Sequence, residues 1–341
     1  MTTVAARALR VLLLADEGLV PDRPRKELNG RDAELRKTEY DVVGGLENLG
    51  HEVAFVGVGG ELSVIRQAIE EKKPHITFNL VEQFDNLPYF DQHVVSYLEL
   101  KRQKYTGCNP RGLTLARDKA LTKKILAYHR IAVPRFAVFA PRKKIAVPPR
   151  LTFPMFVKSL NEEGSEGISQ ASLVRDAEKL IERVGFIHEK TNSPALVEEF
   201  IEGREIYVGV FGNELLTSLP PWELTMSKRD APVIATDKAK WDPQYQKKVG
   251  LKTGPAKLDD KMIRRIERTS KRIYRLLNLS GYARLDYRLS EGGRLYLLEA
   301  NPNPQIARNE DFADAAEHAG MKYEELLQKL VTLGLSYQPR A

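Results

Sequence analysis

The sequence predicts an α/β protein with a parallel sheet in its N-terminal domain and α+β organisation in the remainder. Strand-like runs at residues 7–15, 53–58 and 75–80 alternate with helical patterns at residues 39–49 and 63–72. This order is typical of a parallel sheet with crossover helices. The chain has 341 residues, which is too long for one simple core and favours two or three domains.

The composition argues against several classes of protein. The net charge is +7, but 53 basic residues are interspersed with 46 acidic ones, as on a solvated surface rather than a nucleic-acid site. Cys108 is the single cysteine, so we expect no intrachain disulfide and no cysteine metal site. The first apolar run, residues 11–15, ends at Asp16 and is too short for a membrane span. We therefore expect a cytoplasmic protein without a membrane or nucleic-acid partner.

Two polar residues, Asn79 and Glu82, accompany the end of the third predicted strand. Ligands of such sheets bind beyond the carboxyl ends of the strands, so both residues are candidate substrate contacts. Capping of the next turn is an equally good interpretation. Turn-forming residues dominate the segment 104–112, and we place a domain boundary near residue 113.

The following segment has features of a phosphate site. Its regular elements are predicted at residues 115–128 (helix), 136–139 and 153–158 (strands). Lys158 ends the second strand, and the loop after it contains Gly164, Ser165 and Gly167. Glycines let backbone N–H groups approach an anion, and the lysine supplies positive charge. The pattern indicates a flap over phosphates, although it is not a Walker A loop.

Acidic residues lie within and just after the next predicted strand, at residues 195–200. Glu198 and Glu199 lie within it, and Glu205 follows after a short turn. Carboxylates at a strand edge can accept hydrogen bonds from an adenine amino group or from ribose hydroxyls. Simple exposure to solvent is the alternative interpretation.

The remaining chain begins with a long segment, residues 220–249, that we predict to be irregular. Long loops of this kind in compact domains are either functional lids or disordered segments. The segment contains Lys240 and Trp241. A basic amphipathic helix is predicted at residues 257–277, and a helical region at residues 311–333. The basic face of the first helix is typical of a solvated surface.

Residues 282–304 predict a β-hairpin with one polar face. With a tight turn between the strands, Asp286 lies opposite Glu299 and Arg284 lies opposite Asn301. Alternation along the strands places all of them on one face. Two carboxylates and an amide oxygen beside an arginine suit a divalent cation and an anion. An exposed hairpin whose charges pair across the strands is the alternative.

The turn and the opposite face complete the hairpin prediction. Gly292-Gly293 suits a type I′ turn. The residues predicted to face the core are Leu285, Tyr287, Leu298 and Ala300.

Taken together, these segments resemble the ATP-grasp superfamily, most closely its D-alanine–D-alanine ligase-like branch. DKALTKKIL resembles the helix that opens the central domain, and FPMFVKSLNEEGSEGIS resembles its strand and glycine-rich phosphate loop. LVEEFIEGREI resembles the adenine-binding hinge, while ARLDYRL and YLLEANPNP resemble the metal-binding strands. The resemblance implies a three-domain ATP-grasp fold, with an N-terminal substrate-side domain at 1–113, a central domain at 114–196 and a C-terminal domain at 197–341.

The resemblance also implies roles for individual residues. The ATP-binding residues would be Lys119, Lys158, Glu198, Glu199, Ile201 and Glu205. Two magnesium ions, which manganese could replace, would be held by Asp286, Glu299 and Asn301. The catalytic residues would be Arg284, which stabilises the phosphorylated intermediate, Lys240, which faces the γ-phosphate, and Ser165 in the glycine-rich loop.

The implied reaction is ATP-dependent joining of a small amino-acid-like carboxylate to an amine through an acylphosphate, in a homodimer. The sequence differs from the pattern of this branch in three segments that would bind the amino-acid substrates. The N-terminal glycine-rich segment is replaced by ADEGLVPDRPRKE, a loop tyrosine by Trp241, and the segment after Asn301 carries Arg308, which could anchor an acidic group. An amide ligase with other substrates and a non-catalytic nucleotide-binding regulator are therefore the alternatives.

Overall fold

The protein is described by a computed structural model that covers residues 8–21, 28, 30–161, 168–227, 234, 236 and 242–339. The predicted fold class is confirmed. A parallel sheet near the N-terminus is followed by antiparallel sheets.

The N-terminal sheet is parallel, with the strand order β2-β1-β3. Its elements are β1 (Arg10–Asp16), α1 (Gly30–Leu35), α2 (Lys37–Asn48), β2 (Glu52–Val58), α3 (Ser63–Lys72) and β3 (Ile76–Asn79). The middle strand is covered on both sides, since Leu12 and Leu14 pack in one core cluster and Leu13 packs in another. This is why β1 reads as an unbroken apolar run.

Asp118 interrupts the region that was predicted as one helix over residues 115–128. The helices are α4 (Asp91–Leu100), α5 (Pro110–Arg117) and α6 (Lys119–Tyr128). The Asp118 backbone is extended, and its side chain accepts a hydrogen bond from Leu121 N at 2.8 Å. The single-helix prediction was wrong because Asp118 caps a new helix rather than continuing the first. The boundary predicted near residue 113 falls within α5 and stays a prediction.

The next sheet is antiparallel, with the order β4-β7-β5-β6. Its elements are β4 (Phe136–Phe139), β5 (Met155–Ser159), β6 (Leu173–Val174), α7 (Ala177–Thr191) and β7 (Ala195–Glu199). Val157 and Val197 pack into a core cluster with side chains of α7. Alternation along the strands therefore turns Lys158 and Glu198 to the opposite face. The domain boundary predicted between residues 196 and 197 lies inside β7.

The C-terminal sheet has the order β11-β10-β8-β12-β13, and β9 pairs with β8. Its elements are β8 (Arg204–Phe211), β9 (Thr217–Ser218), β10 (Trp222–Met226), α8 (Pro243–Val249), β11 (Leu251–Pro255), α9 (Asp260–Leu276), β12 (Tyr282–Leu289) and β13 (Leu295–Pro302). Residues 220–249 were predicted to be irregular, which is wrong for the two parts of this segment that form β10 and α8. Trp222, Leu224 and Met226 alternate inward along β10, and the Asp242 side chain caps α8.

The turn of the β12–β13 hairpin differs from the predicted type I′ turn at Gly292-Gly293. Gly293 N donates to Ser290 O at 2.9 Å, so Glu291 and Gly292 are the central residues. Gly293 follows them with a positive φ of 74°, whereas Gly292 has no positive φ. A positive φ at one glycine only matches a three-residue hairpin loop that ends in a left-handed glycine.

A β-bulge lies between this turn and the polar cluster. Asp286 pairs with Glu299, but the next residue, Tyr287, pairs with Leu297. Leu298 is therefore the extra residue of the bulge. It is half-buried, while Leu297 is buried in the core. The prediction that Leu298 faces the core was thus wrong, because the bulge reverses the alternation.

The last helices are α10 (Asp311–His318) and α11 (Tyr323–Ser336). They occupy the helical region predicted at residues 311–333, and Gly320, with a φ of 86°, lies between them. Helix α11 packs against α2, where a Cβ on Gly45 would come within 2.4 Å of Leu327. The described helices are all too short or too polar to cross a membrane.

Candidate active site

The polar face of the β12–β13 hairpin brings the predicted cluster together. Arg284 pairs with Asn301, and Asp286 pairs with Glu299. These pairs agree with the predicted register because the shifted turn and the bulge cancel each other. Leu285, on the opposite face, is buried in the core.

Asp286 is the centre of a hydrogen-bonded group. Arg284 donates from Nε to Oδ1 at 2.8 Å and from Nη2 to Oδ2 at 3.0 Å, and Asn301 Nδ2 donates to Oδ2 at 2.9 Å. The Arg284 guanidinium also lies 4.8 Å from the ring centroid of Tyr207. Burial opposes the charge of Arg284, but the neighbouring Asp286 outweighs it and raises the pKa of the guanidinium. Arg284 is thus a fixed positive charge.

Glu299 faces two lysines that come from other elements. Lys119 Nζ, at the start of α6, lies 3.5 Å from Oε1, and Lys158 Nζ, on β5, lies 3.8 Å from Oε2. Both lysine side chains are buried, whereas the Glu299 side chain is 21% exposed. The two residues that the resemblance assigns to phosphates therefore lie beside one that it assigns to metal.

Glu198 is buried between two lysines. Lys158 Nζ lies 3.2 Å from Oε2, and Lys123 Nζ lies 2.6 Å from Oε1. Burial alone would raise the pKa of Glu198, but the two ammonium groups prevail and lower it. Burial also opposes the charge of Lys158, yet Glu198 and Glu299 raise its pKa. In this structure the Glu198 carboxylate is therefore ionised and paired with the ammonium groups of both lysines.

Glu205, which the resemblance assigns to ribose, lies on β8 next to β12. Arg288 Nη2 lies 2.8 Å from Oε2, and the Tyr207 hydroxyl donates to Oε1 at 2.8 Å. Arg288 and Glu205 face each other across the two strands. The acidic side chain is therefore held in one orientation by its neighbours.

Glu199 and Ile201 lie at the end of β7 and just beyond it. Arg135 donates to Glu199 from Nε at 3.0 Å and from Nη2 at 3.1 Å. These hydrogen bonds lower the pKa of Glu199. Ile201 is half-buried.

Of the two candidate substrate residues in this region, Asn79 ends β3 and is buried, whereas Glu82 lies beyond the strand and is exposed. Asn79 Oδ1 accepts a hydrogen bond from Val81 N at 3.3 Å, which is the turn cap that the sequence allowed. The nearby Asp16 and Glu39 carry raised pKa values. Burial, chiefly, raises the pKa of Asp16 to about 6 and that of Glu39 to about 7.

Arg308, the candidate anchor for an acidic group, is engaged by its own chain. It donates from Nη2 to Glu324 Oε1 at 2.5 Å and lies 4.1 Å from the ring centroid of Tyr323. Its side chain is 41% exposed. Three further candidates, Ser165, Lys240 and Trp241, lie outside the described residues.

The residues assigned to magnesium provide hard oxygen donors. Within the described ranges, no group of three or more His, Cys, Asp or Glu side chains could hold a metal ion. The predicted set instead combines the Asp286 and Glu299 carboxylates with the amide of Asn301, whose nitrogen donates to Asp286. Carboxylate and amide oxygens are the donors that magnesium prefers, so the donor set fits that ion.

Three residues of this cluster were not predicted from the sequence: Lys123, Tyr207 and Arg288. A signal existed for two of them. Lys123 is four residues after Lys119 on α6, which places both on one helix face. Arg288 continues the alternation of Arg284 and Asp286 along β12. Tyr207 pairs with Asp286 across β8 and β12, and the pairing of these separate strands gave no local signal.

Comparison with known proteins identifies the family. The profile of the family described as "D-ala D-ala ligase C-terminus" matches residues 126–332. A Sinorhizobium fredii protein named "Uncharacterized protein y4sG" is 30% identical over 317 residues, which are 91% of this chain and 89% of that protein. The D-alanine–D-alanine ligase of Aquifex aeolicus is 27% identical over 308 residues, 89% of this chain and 98% of that protein.

Solved structures show the same fold. A D-alanine–D-alanine ligase from Bacillus anthracis superposes with a TM-score of 0.76 and 21% identity, over 96% of this chain and 98% of that one. The VanG D-Ala:D-Ser ligase from Enterococcus faecalis gives a TM-score of 0.73 and 18% identity, over 96% of this chain and 100% of that one. The chain therefore belongs to the D-alanine–D-alanine ligase family and is an ATP-grasp ligase that forms carbon–nitrogen bonds.

Proposed function

We propose that this ligase joins the carboxylate of one amino-acid-like substrate to the amine of another, with ATP as the third substrate. The observation that carries this proposal is the convergence of Lys119 and Lys158 on Glu299, beside the Arg284–Asp286 pair. The two lysine ammonium groups can bind phosphates, and the neighbouring oxygen atoms can bind a metal ion. This combination suits phosphoryl transfer.

In the proposed reaction, the substrate carboxylate attacks the γ-phosphorus of ATP, the bond to the bridging oxygen breaks, and ADP leaves. The resulting acylphosphate has a better leaving group than the carboxylate. The amine of the second substrate then attacks the acyl carbon, phosphate leaves, and the nitrogen loses a proton. An amide, ADP and phosphate are the products.

Each group in the cluster has a role in this proposal. Lys119 and Lys158 would bind the phosphates, and Glu205 would accept hydrogen bonds from the ribose hydroxyls. Arg284 would stabilise negative charge on the phosphorylated intermediate. Magnesium, when bound by Asp286, Glu299 and Asn301, would supply further neutralisation of the phosphate charge.

The substrates are proposed in two versions. The first is D-alanine in both positions, which is the reaction named for several relatives. The second is a different pair of amino acids or other small molecules. The N-terminal sequence ADEGLVPDRPRKE favours the second version, because it replaces the glycine-rich segment of the D-alanine enzymes. A homodimer is part of the proposal, and light scattering of the purified protein tests it.

The function is tested by measuring phosphate release from ATP in the presence of magnesium and a panel of single and paired amino acids. The products are then identified by mass spectrometry. The Asp286→Ala variant provides the background. Phosphate release with D-alanyl-D-alanine as the product supports the first version, and release with another amide supports the second. If the protein binds nucleotide but releases phosphate with none of the pairs, the result contradicts the proposal and favours a non-catalytic regulator.

A further inference from the structure

Lys123 is a buried lysine that connects three elements of the cluster. Its side chain is 1% exposed. The ammonium lies 2.6 Å from Glu198 Oε1 on β7 and donates to the backbone carbonyl of Leu298 on β13 at 2.8 Å. A buried ammonium is costly unless it is paired and hydrogen-bonded, so these contacts determine where the side chain lies.

Both contacts of Lys123 lead to groups of the proposed nucleotide site. Glu198 also contacts Lys158, and Lys158 in turn contacts Glu299. Leu298 is the extra residue of the bulge and directly precedes Glu299. Lys123 thus reaches the phosphate lysine through Glu198 and the metal-binding strand through a backbone carbonyl.

We infer that Lys123 is a positioning residue of the nucleotide site, which shares the buried charge of Glu198 with Lys158 and fixes the bulge that presents Glu299. This inference rests on the proposed function. Without Lys123, Lys158 becomes the sole described cation on a buried carboxylate, and the attraction between them is no longer shared. The Leu298 carbonyl also loses its donor, so the bulge becomes less constrained.

The expected defect therefore concerns nucleotide binding. In Lys123→Met, the side chain stays unbranched but is one atom shorter and uncharged. Lys158 is then drawn toward Glu198 and away from the phosphates. Loss of one charge-assisted contact predicts a rise in the dissociation constant for magnesium-ADP of roughly tenfold or more. Lys123→Arg keeps the charge and should recover part of the affinity.

Titration calorimetry with magnesium-ADP tests this inference on the wild-type chain, Lys123→Met, Lys123→Arg and the control Lys124→Met. Lys124 is exposed on the same helix, so its substitution should leave the affinity unchanged. If Lys123→Met and the wild type bind magnesium-ADP with equal affinity, the inference is overturned but the proposed function is not. A wild-type chain that binds no magnesium-ADP would contradict both the inference and the proposed function.

A second variant separates positioning from folding, because Lys123→Met leaves the buried Glu198 with one fewer partner. In the double variant Lys123→Met/Glu198→Gln, the buried negative charge is also removed, and thermal stability should recover. The reference is the Glu198→Gln single variant, which keeps the hydrogen bond from Lys123 to the Leu298 carbonyl. The double variant should bind magnesium-ADP more weakly than this reference, because the bulge that presents Glu299 has lost its donor. Equal affinities of the double variant and Glu198→Gln, together with recovered stability, would show that Lys123 only compensates the buried charge and would overturn the inference.

Discussion

Arg284 and Asp286, two residues apart on β12, form a two-point ion pair with N–O distances of 2.8 and 3.0 Å. The alternation of a strand puts both on one face, and Asn301 completes the group from β13. Pairing with Asp286 raises the pKa of Arg284 against the effect of burial. A permanent positive charge is therefore held beside the proposed metal ligands.

Replacing Arg284 by methionine should lower kcat by roughly 100-fold or more, because the fixed charge that we propose to stabilise the phosphorylated intermediate is lost. The KM for ATP should change much less, since the lysines proposed to bind the phosphates are retained. Phosphate release with the most active substrate pair provides the measurement. Arg264→Met, at an exposed position of α9, is the matched control. A normal kcat in Arg284→Met would remove this residue from the mechanism.

Replacing Glu299 by glutamine should raise the magnesium concentration needed for half-maximal activity by roughly tenfold or more, because a neutral amide is a weaker ligand than a carboxylate. Activity measured against magnesium concentration shows the effect. Glu291→Gln, in the exposed turn of the same hairpin, should behave like wild type. An unchanged magnesium dependence in Glu299→Gln would exclude Glu299 as a ligand.

Glu205→Gln should reduce the preference of the enzyme for ATP over 2′-deoxy-ATP. A carboxylate is a stronger acceptor for ribose hydroxyls than an amide, and we expect a loss of roughly tenfold in kcat/KM for ATP. The deoxy analogue, which lacks one hydroxyl, should be affected less. Glu202→Gln, at an exposed position, is the control. Equal losses for both nucleotides would mean that Glu205 acts only through Arg288 and Tyr207.

Local patterns were enough to predict the fold class and the hairpin pairs. The apolar run of β1 and the alternation of β12 reflect burial, which leaves a signal in the sequence itself. The break at Asp118 was missed because one N-cap decides it, although Asp is a preferred cap. Strand β10 was missed because its short alternating pattern lies in a segment that also contains turn-forming residues.

The ion pairs of the site were harder to predict than its strands. Lys123, Glu198 and Lys158 come from three elements that meet only in the folded chain. A sequence shows that a lysine lies on a helix face, but not which buried carboxylate it meets. For the same reason, the pairing of Arg308 with Glu324 could not be foreseen. Contacts between distant elements depend on packing, which local patterns do not specify.

Glu39 should make the stability of the protein depend on pH. Burial and the nearby Glu82 and Asp16 raise its pKa from 4.5 to about 7, while Arg36 opposes the shift. The folded state therefore binds more protons than the unfolded state between these values, and stability should fall as the pH rises from about 4.5 to 7.

The Glu39→Gln variant measures this contribution. It should be more stable than wild type at pH 8 by roughly 1–3 kcal/mol and should differ little at pH 4.5. Denaturant unfolding at both pH values tests the prediction. Glu47→Gln, exposed on the same helix, should show no pH-dependent gain. A constant difference between Glu39→Gln and wild type across this range would contradict the raised pKa.

Gly293→Ala should destabilise the hairpin, whereas Gly292→Ala should not. Gly293 has a φ of 74°, which an alanine adopts only with strain, and the expected loss is about 1 kcal/mol in the free energy of unfolding. Steric crowding does not cause this expected loss. A Cβ on Gly293 would contact only Met262, at 3.8 Å, and a Cβ on Gly292 would have no contact within 4 Å. A type I′ turn at Gly292-Gly293 would instead require a positive φ at both residues. Equal losses in the two variants, measured by denaturant unfolding, would therefore favour the type I′ turn and contradict the observed one.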